Sequence, residues 1–426
     1  IWPTEVEQEL AQLSEDTIAS LSNSRTDLTH VHFVTIDSHS TVDIDDAIYV
    51  EKTESGWTLS VAIADPSAVV PKGGDLIDYK ITEAVIKSHK KLSYYELSQH
   101  YENAAPDINA ELKNMLAALK QLTDALRNAR QKNALVQADR KEFYLELDDK
   151  QKIADIKTKM LTPAHRVVEE AMVATNRCIA DFLAKQDVPS IFITHQGLRS
   201  DRREIVDKVL TESLSDYQAG SITELPGFIQ TVHQTSSSDE LKPLHLLISR
   251  QLDKSVLSSK AQAHFGMGLE HYTTFTSPLR KAQDYLIHRQ VSALLNNKKV
   301  PIDADKLSKL TEATQAIRNT VNDAEQWLKC QFIAKKKDIF DANVLRVFST
   351  GFQVKLIDNG IEGFISTKEM EGKYSFNQER MIITNKGQSF ELDQIVKVQL
   401  KQIDWPRKQI QFSLISEEKD TTNADK

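Results

Sequence analysis

The chain has few cysteines and no long apolar run. Of its 426 residues only Cys178 and Cys330 are cysteine, and they lie far apart in helix-like stretches. We therefore expect buried free thiols of a reducing compartment and not a disulfide framework. No stretch of about 18 consecutive apolar residues occurs, which excludes a transmembrane helix by the usual length criterion.

Several catalytic motifs are missing as well. The sequence contains no GxSxG, HExxH, Walker A or paired CxxC motif, so serine hydrolases, zinc proteases and P-loop enzymes have no support. The formal net charge is −8. An acidic average argues only weakly against a nucleic-acid partner, because the distribution of charge over the surface decides binding.

The chain does contain segments of strand and of helix in a clear order. Residues 31–70 alternate apolar and polar side chains in "VHFVTID", "DAIYVEKT" and "WTLSVAIADP", which predicts strands. From about residue 107 the pattern becomes helical, with long helices predicted in "AELKNMLAALKQLTDALRNARQ" and "HRVVEEAMVATNRCIADFLAKQ". A third helix is predicted over 303–336, and its apolar residues alternate in steps of three and four, a seam that we expect to pack in a core.

The C-terminal part returns to strand patterns. Residues 338–416 contain about five short strands with turn residues between them, which predicts a small closed barrel of the OB type. The polar tail 417–426 is predicted to be disordered. The fold class is therefore α+β, with a C-terminal β-barrel.

Four aspartates stand together in "FVTIDSHSTVDIDDAIYV": Asp37, Asp43, Asp45 and Asp46. Carboxylates this close repel one another and need a positive partner, yet the stretch holds no lysine or arginine. An EF-hand is excluded by its spacing and by the flanking strands. Hard oxygen ligands suit Mg²⁺ and phosphoryl chemistry, although a solvated acidic loop and an ion-pair network stay open.

The aspartate stretch "TIDSHSTVDIDDAI" resembles the signature of the ribonuclease II family, whose catalytic unit is the RNB domain. Residues 263–289, "AHFGMGLEHYTTFTSPLRKAQDYLIHR", resemble its second signature, and the C-terminal module resembles its S-one-type OB domain. The resemblance implies a processive 3′→5′ exoribonuclease that hydrolyses single-stranded RNA to nucleoside 5′-monophosphates. It also implies Mg²⁺ (or Mn²⁺) as cofactor, with Asp37, Asp43, Asp45 and Asp46 as metal ligands and Asp45 as a catalytic residue. We expect a cytoplasmic monomer, without a membrane partner.

The second signature contains a predicted helix start, "TSPLR". Ser277 is a good N-cap and Pro278 fits the first helical position. Arg280 then lies in the first turn, where the helix dipole disfavours a cation unless an anion is shared. The residues alone leave open a surface pair between Arg280 and Asp284, but the resemblance implies that Arg280 contacts the scissile phosphate. Tyr272 and Ser277 are expected to line the RNA channel, and His264 to be structural.

Two further residues match the family by position. Tyr94 matches a tyrosine near the scissile phosphate, although its neighbour Tyr95 competes for that role. Glu169 matches a glutamate near the ribose of the terminal nucleotides, where a carboxylate that accepts from a 2′-hydroxyl favours RNA over DNA. We expect Glu169 to be partly shielded, and Glu170 to form a surface pair with Arg166.

The chain also departs from the family pattern. Only a lead-in over residues 1–30, which opens with "IWPTEVEQEL", precedes the expected RNB domain at 31–335, so the cold-shock domains are absent from this chain and we expect a trimmed product. A block of catalytic-domain residues is missing near "LIDYKITEAV". Gln137 replaces the aromatic base clamp, and Val321 replaces a family glutamate. These departures support an alternative function, that of a catalytically impaired RNB-type RNA-binding protein.

The C-terminal module offers aromatic candidates for RNA binding. An OB-fold grips single strands with surface aromatic and basic residues, and Phe348, Phe352 and Phe364 are available. At least one of them must fill the barrel, and we predict that Phe352 is the exposed RNA-binding residue. The acidic tail is more similar to ribonuclease II than to ribonuclease R.

Overall fold

A computed structural model describes most of the chain in two compact units. The described residues are 25–54, 56–65, 80–102, 109–136, 141–159, 161–186, 188–370, 372–385 and 387–415. The first unit takes its described residues from within 1–137, 161–196 and 254–311, and the second from within 138–160, 197–253 and 312–426. Each unit therefore combines segments that are distant in sequence.

A four-stranded sheet forms the centre of the first unit. Its strands are β2 (Phe33–Asp37), β3 (Asp46–Thr53), β4 (Gly56–Ile63) and β6 (Ser88–Ser93), in the order β4-β3-β2-β6. The short strands β1 (Thr26–Asp27) and β5 (Ala84–Val85) pair with each other in parallel. Strands β2, β3 and β4 lie where the alternating patterns predicted them, whereas β1, β5 and β6 were not predicted.

Three helices of the first unit come after these strands in the chain, and they contribute to the core beside the sheet. The helices are α1 (Tyr94–Tyr101), α2 (Ala110–Asn133) and α3 (Pro163–Ala184). Val34, Ile48 and Leu116 are among the buried side chains of the core between the sheet and α2, because β2 is buried at every position before Asp37 and α2 repeats its leucines on one side. The two long helices agree with the predicted segments.

The rest of the first unit carries the second signature. It contains β9 (Phe192–Thr194), β10 (Val256–Ser258), which pairs antiparallel with β9, and α7 (Ala282–Leu295). Phe275, Ile287 and Val291 are buried in a core with residues of α3. This core supports the loop that precedes α7.

The second unit contains a β-hairpin, three helices and the barrel. The hairpin consists of β7 (Glu142–Leu147) and β8 (Ile153–Lys159), and the helices are α4 (Arg203–Ser213), α5 (Leu225–Ser236) and α6 (Lys242–Arg250). Phe143 packs against the core of the barrel, whereas Tyr144 is 48% exposed.

The predicted closed barrel is present. It is built from β11 (Ile339–Phe348), β12 (Gly351–Leu356), β13 (Glu362–Ser366), β17 (Ile395–Asp404) and β18 (Gln409–Leu414), in the order β11-β12-β13-β18-β17. A separate three-stranded sheet joins β14 (Ser375–Asn377), β15 (Ile382–Thr384) and β16 (Ser389–Phe390). The tail 417–426 lies outside the described residues.

The prediction that Phe352 is exposed is wrong. Its side chain is 0% exposed and stacks on Phe390, with the ring centroids 4.8 Å apart. Phe352 alternates with Val354 and Leu356 on β12, and all three are buried. Side chains two residues apart on a strand share a face, so Phe352 fills the barrel.

The apolar seam predicted on the last long helix packs in a core only at the two ends of the helix. This helix, α8, spans Ala304–Ile333. Leu307 is buried, but Ile317 and Val321 are 65% and 50% exposed, so the middle of the seam is not core.

Cys178 and Cys330 are free thiols in α3 and α8. Among the described residues, no helix is long and apolar enough to cross a membrane.

Candidate active site

Three functional side chains meet at one end of the central sheet. Asp37 is the last residue of β2 and Asp46 the first residue of β3. Because these strands are antiparallel, the end of one lies beside the start of the other. Strand β6 runs parallel to β2 with Ser93 opposite Asp37, so Tyr94, the next residue, emerges at the same end.

Asp45 is held by the second signature. Its carboxylate accepts a hydrogen bond from Arg280 Nε at 3.0 Å and from the Leu279 N–H at 3.3 Å. Asp45 is 9% exposed, whereas the Arg280 side chain is 69% exposed. The two predicted motifs therefore form one site, in which the guanidinium is fixed at its Nε and still reaches solvent.

The turn before α7 differs from the predicted helix start. Helix α7 begins at Ala282, not at Pro278, and the Ser277 hydroxyl accepts from Arg280 Nη2 at 3.0 Å. Asp284 is fully buried, and its carboxylate accepts from the Ser277 N–H and the Thr274 hydroxyl. The alternative of an Arg280–Asp284 surface pair is therefore wrong, since each residue has other partners.

The electrostatics of the site show uncompensated negative charge. Burial, together with Asp37 and Asp45, raises the pKa of Asp46 to about 7, although Arg280 opposes the shift. Burial also raises the pKa of Asp37, against the influence of Lys91. The Oδ2 atom of Asp37 is buried without a hydrogen-bond partner. A cation at this place would relieve all three conditions.

The carboxylates fit a hard divalent cation only in part. Asp37, Asp45 and Asp46 supply oxygen atoms of the kind that Mg²⁺ prefers, and the unpartnered oxygen of Asp37 points to a missing ligand. Asp43 is exposed on the loop before β3. The described part of the chain contains no group of three His, Cys, Asp or Glu side chains close enough to hold a metal ion. At this site Asp45 faces Arg280 and Asp43 faces solvent.

Tyr94, and not Tyr95, faces this site. Burial, Asp46 and Asp37 raise the pKa of the Tyr94 hydroxyl, while Tyr95 is 66% exposed. The Tyr94 ring stacks on His165 of α3. Sequence reasoning did not find His165, and the only local signal was its place three residues after Thr162 at a helix start.

The expectations for Glu169 and Glu170 are reversed in the structure. Glu169 is exposed, whereas Glu170 is 1% exposed. Glu170 pairs with Arg130 at 2.8 Å and with Arg127 at 3.6 Å, both on α2. Helix periodicity could not separate the two neighbours, because the arginines that select Glu170 lie about forty residues earlier.

Tyr272 lies between several charged groups of the first unit. Its hydroxyl accepts from Asn176 Nδ2 at 3.2 Å. Burial raises the pKa of Tyr272. The charges of Asp284 and Glu169 add to this rise, whereas the charge of Arg130 opposes it. His264 is buried beside His195, which agrees with a structural role, and burial lowers the pKa of His264 to about 4.

The candidate phenylalanines at the barrel surface are Phe348 and Phe364, and not the predicted Phe352. Phe348 is 40% exposed, and its ring lies 6.4 Å from that of half-exposed Phe364. These two side chains are the candidates for stacking on bases, with exposed Arg346 and half-buried Lys355 on the neighbouring strands as cations.

Two predictions fall on residues outside the described ranges. Gln137, the residue at the place of the aromatic clamp, is one of them. The proposed missing block borders residues 66–79, which also lie outside. The missing block therefore stays a prediction.

Comparison with known proteins gives two domain matches. The RNB domain model matches residues 25–78 and 72–297, and the S1 RNA binding domain model matches residues 333–415. The two RNB segments meet at 72–78, where the sequence predicts a missing block. Together the matches cover most of the chain.

Individual proteins agree with these matches. "Exoribonuclease 2" of Haemophilus influenzae is 29% identical over an alignment of 463 residues. The alignment covers 89% of this chain and 70% of that protein. The apo form of Mycoplasma genitalium RNase R shares the fold, with a TM-score of 0.80 at 21% identity over 97% of this chain and 76% of its own. Yeast Ssd1, described as a pseudonuclease, has a TM-score of 0.61 at 15% identity over 87% of this chain and 53% of its own.

Proposed function

The chain belongs to the RNB domain family, and from this premise we propose that it is a Mg²⁺-dependent, processive 3′→5′ exoribonuclease. Its substrate is single-stranded RNA, and its products are nucleoside 5′-monophosphates. The observation that carries the proposal is the convergence of Asp37, Asp45, Asp46, Tyr94 and Arg280 at one end of the central sheet. Mutation within this set of residues is expected to abolish cleavage of RNA and not its binding.

The carboxylates Asp37, Asp45 and Asp46 would hold Mg²⁺, with Asp43 joining them if its loop turns inward. When bound, Mg²⁺ supplies positive charge at the phosphate and lowers the pKa of water. The metal set is supported by the buried, unpartnered oxygen of Asp37 and by the raised pKa of Asp46, since both favour a cation.

Arg280 binds and orients the scissile phosphate. Its Nε is fixed by Asp45 and its Nη2 by the Ser277 hydroxyl, so the guanidinium is ordered before RNA arrives. The exposed remainder of the side chain can donate to phosphate oxygens. Such preorganised donors stabilise the charge that develops on phosphorus without reorganisation during the reaction.

Tyr94 acts as a hydrogen-bond donor to the same phosphate. Because burial and the neighbouring carboxylates raise its pKa, the phenol keeps its proton at neutral pH. Hydrolysis adds a water oxygen to phosphorus and breaks the bond to the 3′-oxygen of the preceding nucleotide. The phosphate thus stays on the 5′-oxygen of the released nucleotide, as the proposed product requires.

RNA recognition is assigned to both units. Exposed Glu169 accepts from a ribose 2′-hydroxyl beside Tyr272, which favours RNA over DNA. Phe348 and Phe364 stack on bases at the barrel surface. The catalytic domain is proposed at 31–335 and the RNA-binding barrel at 338–416, in a monomer that works in the cytoplasm.

The test uses 5′-labelled single-stranded RNA on a denaturing gel, with parallel lanes that contain EDTA or an Asp45→Asn variant. Short 5′-labelled products without long intermediates, dependent on Mg²⁺ and on Asp45, are the expected result. Products that stay long and shorten by one nucleotide at a time would contradict processivity. Internal cuts would contradict the exonuclease.

A second candidate function is RNA binding without cleavage. Exposed Asp43 and the replacement of the aromatic clamp by Gln137 favour it, and the fold is shared with Ssd1, described as a pseudonuclease. Intact RNA in every lane, together with a mobility shift on a native gel, would select this candidate.

A further inference from the structure

The ring of Tyr94 lies flat against the imidazole of His165. The ring centroids are 4.0 Å apart and the planes differ by 7°. Tyr94 is the first residue of α1 and His165 lies in the first turn of α3, so two helix starts of the first unit meet at this stack. No other aromatic pair in the described residues involves a side chain of the aspartate site.

Each partner is fixed on its own helix in a different way. Ser93 and Glu96 exchange hydrogen bonds at the start of α1, where the Glu96 N–H donates to Ser93 Oγ at 3.1 Å and the Ser93 N–H donates to Glu96 Oε2 at 2.7 Å. These bonds fix the backbone of Tyr94, but they do not fix the direction of its ring. The ring direction must therefore come from a contact of the ring itself.

The imidazole of His165 is fixed by the cap of α3. Its Nδ1 accepts from the Thr162 N–H at 3.2 Å and lies 2.9 Å from the Thr162 hydroxyl. Because Nδ1 accepts, the neutral ring carries its proton on Nε2. The plane of His165 is thus set by helix α3 and is independent of Tyr94.

We propose that His165 is a positioning residue for Tyr94, an inference that rests on the proposed function. The fixed imidazole face holds the phenol ring in one plane and so places its hydroxyl at the scissile phosphate, beside Asp46 and Asp37. Parallel stacks of this kind add to burial alone. A small error in the position of a reacting or donating group lowers the rate strongly.

Two substitutions of His165 separate stacking from helix capping. Asparagine keeps an oxygen that can accept from the Thr162 N–H, but it has no ring face for Tyr94. Phenylalanine keeps the ring face, but it cannot accept. A role limited to the cap predicts that His165→Asn is tolerated and His165→Phe is harmful, whereas positioning of Tyr94 predicts the opposite order.

The kinetic test compares kcat and KM of these variants on single-stranded RNA at saturating Mg²⁺. We expect His165→Asn to lower kcat about tenfold with little change in KM, as loss of an ordinary aromatic stack would, and His165→Phe to stay within about twofold of the wild type. Exposed Tyr95 provides the control, since Tyr95→Ala should leave both constants unchanged.

A double-mutant cycle tests whether His165 acts through Tyr94. Adding His165→Asn to Tyr94→Ala should cause no further loss of kcat, because the ring that His165 positions is gone. Additive losses, or an active His165→Asn variant with wild-type kcat, would overturn the inference. An inactive wild-type protein would overturn the proposed function instead, so the two failures are distinguishable.

A measurement without RNA supports the kinetics. In protein with ¹³C-labelled tyrosine, the Tyr94 ring signals are assigned by comparison with Tyr94→Phe. They should lie upfield of the other tyrosines because of the imidazole ring current, should lose this shift in His165→Asn and should keep it in His165→Phe. An unchanged Tyr94 signal in His165→Asn would contradict the stack in solution.

Discussion

Arg280 donates from Nε to the carboxylate of Asp45 at 3.0 Å, across a separation of 235 residues in the chain. This bond joins the two signatures that the sequence shows separately. It also explains how a cation in the first turn before α7 is stabilised, since a carboxylate stands in the place expected for an anion. In the proposed function, the same bond orders the guanidinium for a phosphate.

The first prediction concerns Arg280. Replacement by lysine keeps the charge but loses the fork that can bind Asp45, Ser277 and phosphate together. We expect kcat to fall by about 10²-fold in Arg280→Lys, the scale for loss of one preorganised donor. Single-turnover cleavage of RNA measures the effect.

The matched control is Arg289→Lys on α7, an exposed arginine outside the site. This variant should cleave at the wild-type rate. Equal losses in both variants would show that the effect does not depend on the Asp45 partner.

The second prediction concerns Asp46 in the metal-free protein. Its pKa is raised to about 7 in the folded state from an ordinary value of 3.8, so between these values the folded chain binds more protons than the unfolded chain. The free energy of unfolding should therefore fall as the pH rises through this window, and the loss is complete above about pH 7.

Asp46→Asn removes this penalty. With EDTA at about pH 8 we expect the variant to be more stable than the wild type by on the order of 1–2 kcal/mol, and the difference should vanish near pH 4. Chemical denaturation at both pH values measures it. Mg²⁺ should stabilise the wild type at high pH and not the variant, and equal stabilisation of both would contradict Asp46 as a ligand.

Sequence reasoning reached the fold and most of the aspartate site, but not the partners of individual side chains. Strands β2 and β3 were predicted because β alternation is a local property, and the structure places Asp37 and Asp46 at their ends. The partner of Asp45 could not be predicted, since Arg280 is remote in sequence. The start of α7 was misplaced because the Ser277 hydroxyl binds a guanidinium and not a backbone N–H.

Phe352 is a different kind of error, because the sequence did contain the answer. Its alternation with Val354 and Leu356 predicts one buried face. Gly351 is required for another reason. Its φ is +148°, and a Cβ atom there would lie 2.0 Å from the Ile365 carbonyl oxygen.

The third prediction separates Phe352 from Phe348. Phe352→Ala should destabilise the barrel by about 3–5 kcal/mol, since it removes a fully buried ring. Phe348→Ala should leave stability nearly unchanged and weaken RNA binding by about 1–3 kcal/mol. Thermal denaturation and fluorescence anisotropy with labelled RNA measure the two effects, and normal RNA affinity in Phe348→Ala would exclude this ring from the RNA contact.

The fourth prediction uses two adjacent glutamates with opposite surroundings. Glu170 neutralises part of the charge of Arg127 and Arg130 in a buried cluster, so Glu170→Gln removes the buried carboxylate that both cations share. We expect a loss of about 3–5 kcal/mol in the free energy of unfolding, the scale for breaking a buried ion pair. Whatever activity the folded fraction keeps should still prefer RNA to DNA.

Glu169→Gln is expected to do the reverse. Glu169 is exposed and forms no part of the buried cluster, so stability should change by less than about 0.5 kcal/mol. In the proposed RNA contact its carboxylate accepts a charge-assisted hydrogen bond from the 2′-hydroxyl, so the weaker amide acceptor should reduce the preference for RNA over DNA by about tenfold. The ratio of kcat/KM for RNA and DNA of one sequence measures this preference. An unchanged ratio would mean that discrimination lies elsewhere, whereas a loss of stability in Glu169→Gln would mean that the two neighbours share one structural role.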